Sequence, residues 1–271
     1  MVTLKDFNDS FFLLYNKLKE KENFAFVRYS DGELDIIQNL YVELSKNKVQ
    51  RGKEVLGQAP YPEEDYKIFD PSKHQKSRDL LLASLQFKKN NYFKGLTCPC
   101  CVPAERVRSL LELCGKDDEK HIIWANQLVN SNYVYFLDYM QKEIFKRDDI
   151  VLVANERVDL DKCDLNVKKH FKVGYNCFVN DLNLIDEIKE YIKNNDIKNH
   201  LFLFSAASLS EILIYELYKD FPDNTYIDIG TTMHKSLGLN IARDYLEAYW
   251  KGNFHPDLHK KCLYPLAVNN E

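Results

Sequence analysis

Seven short apolar runs set the limits on what this chain can fold into. They are FAFVRY (24–29), GLTCPC (95–100), HIIWAN (121–126), DIVLVAN (149–155), FKVGYN (171–176), HLFLFSA (200–206) and TYIDIG (225–230). Between them lie segments of helical period, among them ERVRSLLELC, NYVYFLDYMQKEIF, LIDEIKEYIKNN and LSEILIYELYKDF. Runs that are apolar on both faces, each followed by an amphipathic helix, predict an α/β fold: a mostly parallel sheet with helices on both faces. No repeat, low-complexity tract or Gly/Ser linker divides the 271 residues, so residues 1–271 read as a single domain. Residues 41–75, with Tyr61-Pro62 and Pro71, break this rhythm and read as an excursion over the active face or an acceptor-binding flap.

A formal charge of −4 gives no basic footprint, which argues against nucleic acid as a partner. The N-terminal FFLLY is too short to span a membrane and lacks a cleavage site; Phe7, Phe11, Leu14 and Leu18 instead suit one face of a helix. Seven cysteines, an odd number in a chain with ample core, predict reduced thiols and a cytoplasmic protein. The cluster Cys98, Cys100 and Cys101 has the wrong spacing for a zinc knuckle and reads as a strand end packed in the core.

In parallel sheets, ligands collect at the carboxyl ends of the strands. The turns to inspect are therefore YSDGE, CCVPAE, ANQLVNS, ANERVD, SAASLSE and DIGTTMH. In the first, Ser30-x-x-Glu33 is a capping box, with Asp31 in the first helical turn where the dipole favours it. The same stretch sets Asp31 and Glu33 two residues apart at a strand end, with Gly32 between them to let a diphosphate approach. Two hard oxygen donors suit Mg2+ or Mn2+ beside a nucleotide, and Arg28 can pair with phosphate. A cap and a metal ligand are compatible roles.

RYSDGE resembles the R-[FY]-G-D-G-E signature of the GT-D-type glycosyltransferases, a family first seen as a domain of unknown function. The later segment LFLFSAASLSEILIYELYKDFPDNTYIDIG is similar to that family's strand, small-residue turn, helix and strand closing in D-I-G. The resemblance runs from about residue 24 to 250. It implies a Rossmann-like domain that transfers a sugar from a nucleotide-sugar donor, with a divalent metal held through D-x-E and inversion at the anomeric carbon. Carried over by position, Asp31 and Glu33 become catalytic metal and diphosphate residues, and Arg28, Tyr29, Ser30 and Gly32 line the donor site. Three departures stand out: Ser30 where the family has glycine, SAAS where it is glycine-rich, and Thr231, Thr232 and Met233 between D-I-G and His234.

Ser205 and Ser208 flank the SAAS turn, where amides at a helix start and serine hydroxyls can take phosphate; Ser208 with Glu211 is also a second capping box. Asp228 is a carboxylate in an apolar strand, so it needs a partner or faces the site, and it is the first candidate for the base, ahead of Asp159 and Asp161. His234 is a candidate third metal ligand or a surface or second-layer histidine. Asn126 and Asn130 can bind sugar hydroxyls or base edges, or simply make a turn. Trp124, Tyr133 and Tyr135 can stack on a sugar or fill core. The leading expectation is thus a glycosyltransferase using Mn2+ or Mg2+ and a UDP-sugar, acting on a glycan, glycoprotein or lipid-linked acceptor. A metal-dependent phosphohydrolase and a non-catalytic nucleotide-binding module are the alternatives.

Overall fold

The apolar runs form strands of one parallel sheet in a computed structural model that describes residues 7–253, apart from 47, 58–64, 100–101, 116–119, 164 and 242. The strands among the described residues, in order, are β1 (Ala25–Tyr29), β2 (Val42–Ser45), β3 (Lys48–Arg51), β4 (Glu54–Gly57), β5 (Lys67–Phe69) and β6 (Tyr92–Leu96). Then come β7 (Ile122–Trp124), β8 (Ile150–Asn155), β9 (Val167–Val173), β10 (Leu201–Ser205) and β11 (Thr225–Asp228). The main sheet has the order β7-β6-β1-β11-β10-β8-β9, with every neighbouring pair parallel. The expected Rossmann-like α/β architecture is therefore present.

Burial on both sheet faces follows directly from strand geometry, since alternate side chains point to opposite sides. Ala25, Val27 and Tyr29 of β1, Val151 and Val153 of β8, and Phe202 and Phe204 of β10 share one core. Phe26, Ile150, Leu152, Leu201 and Leu203 belong to the other. The first core is closed by helices α3 (Gln75–Gln86), α4 (Ala104–Cys114), α7 (Leu184–Asn194) and α8 (Leu209–Asp220), through residues such as Leu81, Leu110, Ile188 and Leu213. The second is closed by α1 (Phe7–Lys19), by α5 (Tyr133–Tyr135) with its continuation, and by α9 (Asp244–Trp250). The short helices α2 (Asp31–Ile37) and α6 (Cys177–Asn180) follow β1 and β9. Phe11, Leu14 and Leu18 are buried as the predicted face of α1. Trp124 and Tyr133 are core as well, whereas Tyr135 is exposed.

One helix differs from its sequence pattern. After α5 the chain continues as a π-helix over Phe136–Ile144, closed by Phe145 N–H donating to Met140 O at 2.9 Å. The wider turn keeps Phe136 and Met140 buried while Tyr135 and Tyr139 meet the rings of Phe11 and Phe12 on α1.

The irregular stretch 41–75 contains a second sheet, antiparallel, of order β4-β3-β2-β5. It is fastened to the main domain where Asn176 receives a bond from Ile68 N (2.9 Å) and donates to Ile68 O (3.1 Å). Tyr61 and Pro62 lie outside the described residues, as do Cys100 and Cys101. Cys98 is buried beside Val107 and Trp124, as a strand-end core residue should be.

Candidate active site

The carboxyl ends of the strands surround a cleft of about 370 Å3. Its walls come from Arg28 of β1 and Ser30–Glu33 after it, Asn126 after β7, Asn155 of β8, Ser205 of β10 and Ala206–Ala207 after it, and Asp228 and Gly230 of the β11 end. Leu44, Arg51, Asp65 and Lys67 of the small sheet and its approach supply the remaining side. β1 leads on to β6 on one side, while β11, the last strand, is reached from β10 on the other, so two strands far apart in sequence lie side by side at the cleft.

At the floor lies a buried polar network. Arg28 on β1 grips Asp228 on the adjacent β11 with two bonds, Nε to Oδ2 at 2.9 Å and Nη2 to Oδ1 at 3.2 Å. Gly230 N–H adds a third, to Oδ1 at 2.8 Å. Gly230 must be glycine here: its φ is +49°, and a Cβ would sit 1.8 Å from Arg28 Nη2. Burial pushes the Asp228 carboxyl up from the ordinary aspartate value, against the pull of Arg28 and of the Gly230 N–H.

Glu33 is the second hub. Oε1 accepts from Lys67 Nζ at 2.9 Å and from Ser208 Oγ, while Oε2 accepts from Ser30 N at 3.1 Å and from Ser30 Oγ. The bond from Ser30 N–H is the backward half of the predicted capping box. Burial would raise this carboxyl, but the Lys67 charge and the hydroxyls of Ser208 and Ser30 outweigh it and hold Glu33 well below the ordinary glutamate range. Asp31, one turn edge away, pairs with Arg51 and remains about one-third exposed. Arg106 clamps the same helix start, donating to Asp31 O at 2.9 Å and Asp35 Oδ1 at 2.6 Å.

The turn after β10 carries its own strain. Ala207 has φ +45°, a left-handed conformation that suits glycine, which is what the resembled family places in this turn. Cys177 also lines the cleft, but its thiol donates to Ala206 O at 3.2 Å and burial pushes it up to about 12, so it is no nucleophile at neutral pH.

No protein-family model and no curated protein matches this chain. Among solved structures it is similar to one described as the highly conserved domain of unknown function 1792 with a distinct glycosyltransferase fold. The two are 17% identical, with a TM-score of 0.54 over 93% of this chain and 83% of that one. A selenomethionine structure of domain of unknown function 1792 is also similar, at 17% identity over 90% and 82% of the two chains, with a TM-score of 0.49. This chain has a glycosyltransferase fold.

Within that fold, the residues singled out from the sequence divide into two groups. Arg28, Ser30, Asp31, Gly32, Glu33, Asn126, Ser205, Asp228 and His234 all reach the cleft, as does Asn130. Tyr29 does not: it is fully buried on the opposite face of β1, with its hydroxyl 2.8 Å from Ser84 Oγ. Adjacent strand residues point to opposite faces, so Arg28 and Tyr29 cannot both face the cleft. Ser208 is also buried away from the opening, its hydroxyl serving Glu33 and Lys67 instead of a ligand. Asp159 and Asp161 are not cleft residues; Asp159 pairs with Lys162 at 2.8 Å.

Among the described residues, no three His, Cys, Asp or Glu side chains gather into a group that could hold a metal, so Asp31, Glu33 and His234 do not form the expected trio. Both oxygens of Glu33 are taken, and His234 lies with Nε2 3.4 Å from Ser205 Oγ and Nδ1 3.2 Å from Asn240 O. Asp31 alone of the three keeps an exposed carboxylate. Asp228, engaged by Arg28 and Gly230, is likewise not poised as a base in this arrangement.

Lys67, Arg51 and Glu211 are cleft residues that the sequence reading did not select. The strand KIF carried one signal, because alternation puts Lys67 on the face of buried Phe69. Nothing local named Glu33 as its partner.

Proposed function

We propose that this chain is a glycosyltransferase that moves a sugar from a nucleotide-diphosphate sugar, a UDP-sugar first of all, to a glycan hydroxyl with inversion. The observation that carries this reading is a single cleft at the strand ends in which Arg28, Arg51, Lys67 and the start of α8 converge. Its volume of about 370 Å3 is within the range of small-ligand sites. The amino end of α8 and the turn Ser205–Ala207 suit phosphate oxygens, and the arginines suit the charge that develops on a departing diphosphate.

A divalent ion, Mn2+ or Mg2+, belongs to this reading for an electrostatic reason. The described cleft residues include four cationic side chains, Arg28, Arg51, Lys67 and Arg243, paired with four acids, Asp228, Asp31, Glu33 and Asp65, while burial pushes the fifth acid, Glu211, toward its neutral form. A diphosphate entering a cleft whose charges are already matched needs a cation of its own. Asp31 would hold that ion, and the ion would neutralise the leaving diphosphate. Glu33 acts from behind, fixing the Ser30–Gly32 turn through Ser30 and the small sheet through Lys67. Arg28 would hold Asp228 fixed at the floor of the cleft. The small sheet forms the wall on the acceptor's side, and the acceptor is a glycan, glycoprotein or lipid-linked sugar.

Calorimetric titration of UDP with and without Mn2+ tests the reading on wild type, Asp31→Ala and Glu33→Ala. Metal-strengthened binding that Asp31→Ala abolishes while its melting temperature holds supports it. Absence of binding to UDP, GDP and their sugars, with or without metal, overturns it.

A further inference from the structure

Glu211 is the acid of this cleft without a counter-charge in ion-pair contact among the described residues: Asp65 Oδ2 also lacks a hydrogen bond but has Arg243 Nη2 at 3.5 Å. Glu211 stands in the first turn of the 12-residue helix α8, is only 3% exposed, and lines the opening. Its Oε2 has no hydrogen-bond partner among the described residues. Every other acid at the floor is engaged: Asp228 by Arg28 and Gly230, Glu33 by Lys67, Ser208 and Ser30. The hydroxyl half of the capping box that sequence offers at Ser208 is not made, because that hydroxyl donates to Glu33 and receives from Lys67. A buried carboxyl oxygen without a partner is costly, so a fold that satisfies Glu33 and Asp228 and leaves this one open points to a partner from outside.

We propose that Glu211 is a donor-positioning residue whose carboxyl binds a sugar hydroxyl of the nucleotide sugar. The inference rests on the donor reading above and names the group that receives the sugar. Burial, reinforced by repulsion from Glu33 and Asp228, pushes the Glu211 carboxyl well above the ordinary glutamate value. A neutral carboxyl has one O–H donor and one carbonyl acceptor, the complement of a hydroxyl that both accepts and donates. Phosphate offers no donor to the carbonyl, and a metal ion has no use for the proton. Hydroxyls of this kind occur on the ribose and on the transferred sugar, and the two are separable by experiment.

The test is titration of UDP, UDP-glucose, UDP-N-acetylglucosamine, GDP and GDP-mannose into wild type, Glu211→Gln and Glu211→Leu, with melting temperatures measured alongside. The carboxamide keeps one donor and one acceptor without charge, so Glu211→Gln should bind the preferred nucleotide sugar within about threefold of wild type. Glu211→Leu should weaken it about tenfold, the size of one lost ligand hydrogen bond. If the nucleotide sugar weakens and the bare nucleotide does not, the hydroxyl is on the transferred sugar; if both weaken equally, it is on the ribose. Unchanged binding in Glu211→Leu overturns the assignment, and so does an equal loss in Glu211→Gln. Wild type that binds none of the five compounds overturns the parent reading instead.

Discussion

Replacing Lys67 by methionine should destabilise the protein by about 3 kcal/mol near neutral pH. Lys67 and Glu33 are 7% and 6% exposed, and their 2.9 Å pair has little water to replace it. Removing one member of a buried ion pair costs about 3–5 kcal/mol because the other charge stays buried. The lower end applies here, since Ser30 N–H and the hydroxyls of Ser30 and Ser208 still reach Glu33. For a chain of this size that corresponds to a fall of about 6–10 °C in melting temperature.

The pH dependence gives the sharper test. In wild type the Glu33 carboxyl is held below its unfolded value near 4.5, so its contribution is present above that value and is lost as pH falls through the folded one. Without Lys67, only the bonds from Ser30 and Ser208 oppose burial, so the same carboxyl moves up and protonates at higher pH than in wild type. The deficit of Lys67→Met should therefore shrink between about pH 7 and about pH 4. Adding Glu33→Gln should recover part of it at neutral pH. Urea unfolding of the wild type and these two variants at both pH values is the assay. A deficit under about 1 kcal/mol, or one that grows on acidification, would refute the claim that this pair is an ionised, buried hub.

Gly230→Ala should drive Arg28 off Asp228, since its Cβ would lie 1.8 Å from Nη2, and should cost more than about 1 kcal/mol from the positive φ alone; thermal unfolding and nucleotide titration would show both losses. Ala207→Gly should do the opposite for stability, gaining about 0.5–1 kcal/mol by relieving a left-handed alanine, read as a higher urea midpoint. Gly95→Ala should cost about 1–3 kcal/mol through overpacking, because its Cβ would meet Ala125 Cα at 2.8 Å and the Phe26 ring at 2.9 Å. Gly32→Ala should leave the melting temperature unchanged, its Cβ coming no nearer than 3.8 Å to Lys67 Nζ, yet weaken UDP binding if a diphosphate passes over that residue.

The main sheet was legible because its signal is local. Doubly apolar runs such as DIVLVAN report burial on both faces, and amphipathic segments such as LIDEIKEYIKNN report one buried stripe; neither needs knowledge of a partner. The small sheet was not legible, since β4 is exposed along its length and β5 has only three residues, too little pattern to read. No helix among the described residues is long and apolar enough to cross a membrane, in keeping with the short, interrupted FFLLY.

The candidate site divides in the same way. That Arg28, Asp31, Glu33 and Asp228 belong at strand ends follows from where the apolar runs stop. What each carboxylate does could not follow, because its partner lies far along the chain: Asp228 is gripped by Arg28, 200 residues away, and Glu33 by Lys67 and Ser208, 34 and 175 residues away. Those pairings exist because β1 lies beside β11 and the small sheet folds back over both. Strand adjacency is a property of the packed sheet, and it decides which acids are neutralised and that Glu211 keeps an unpartnered Oε2 among the described residues.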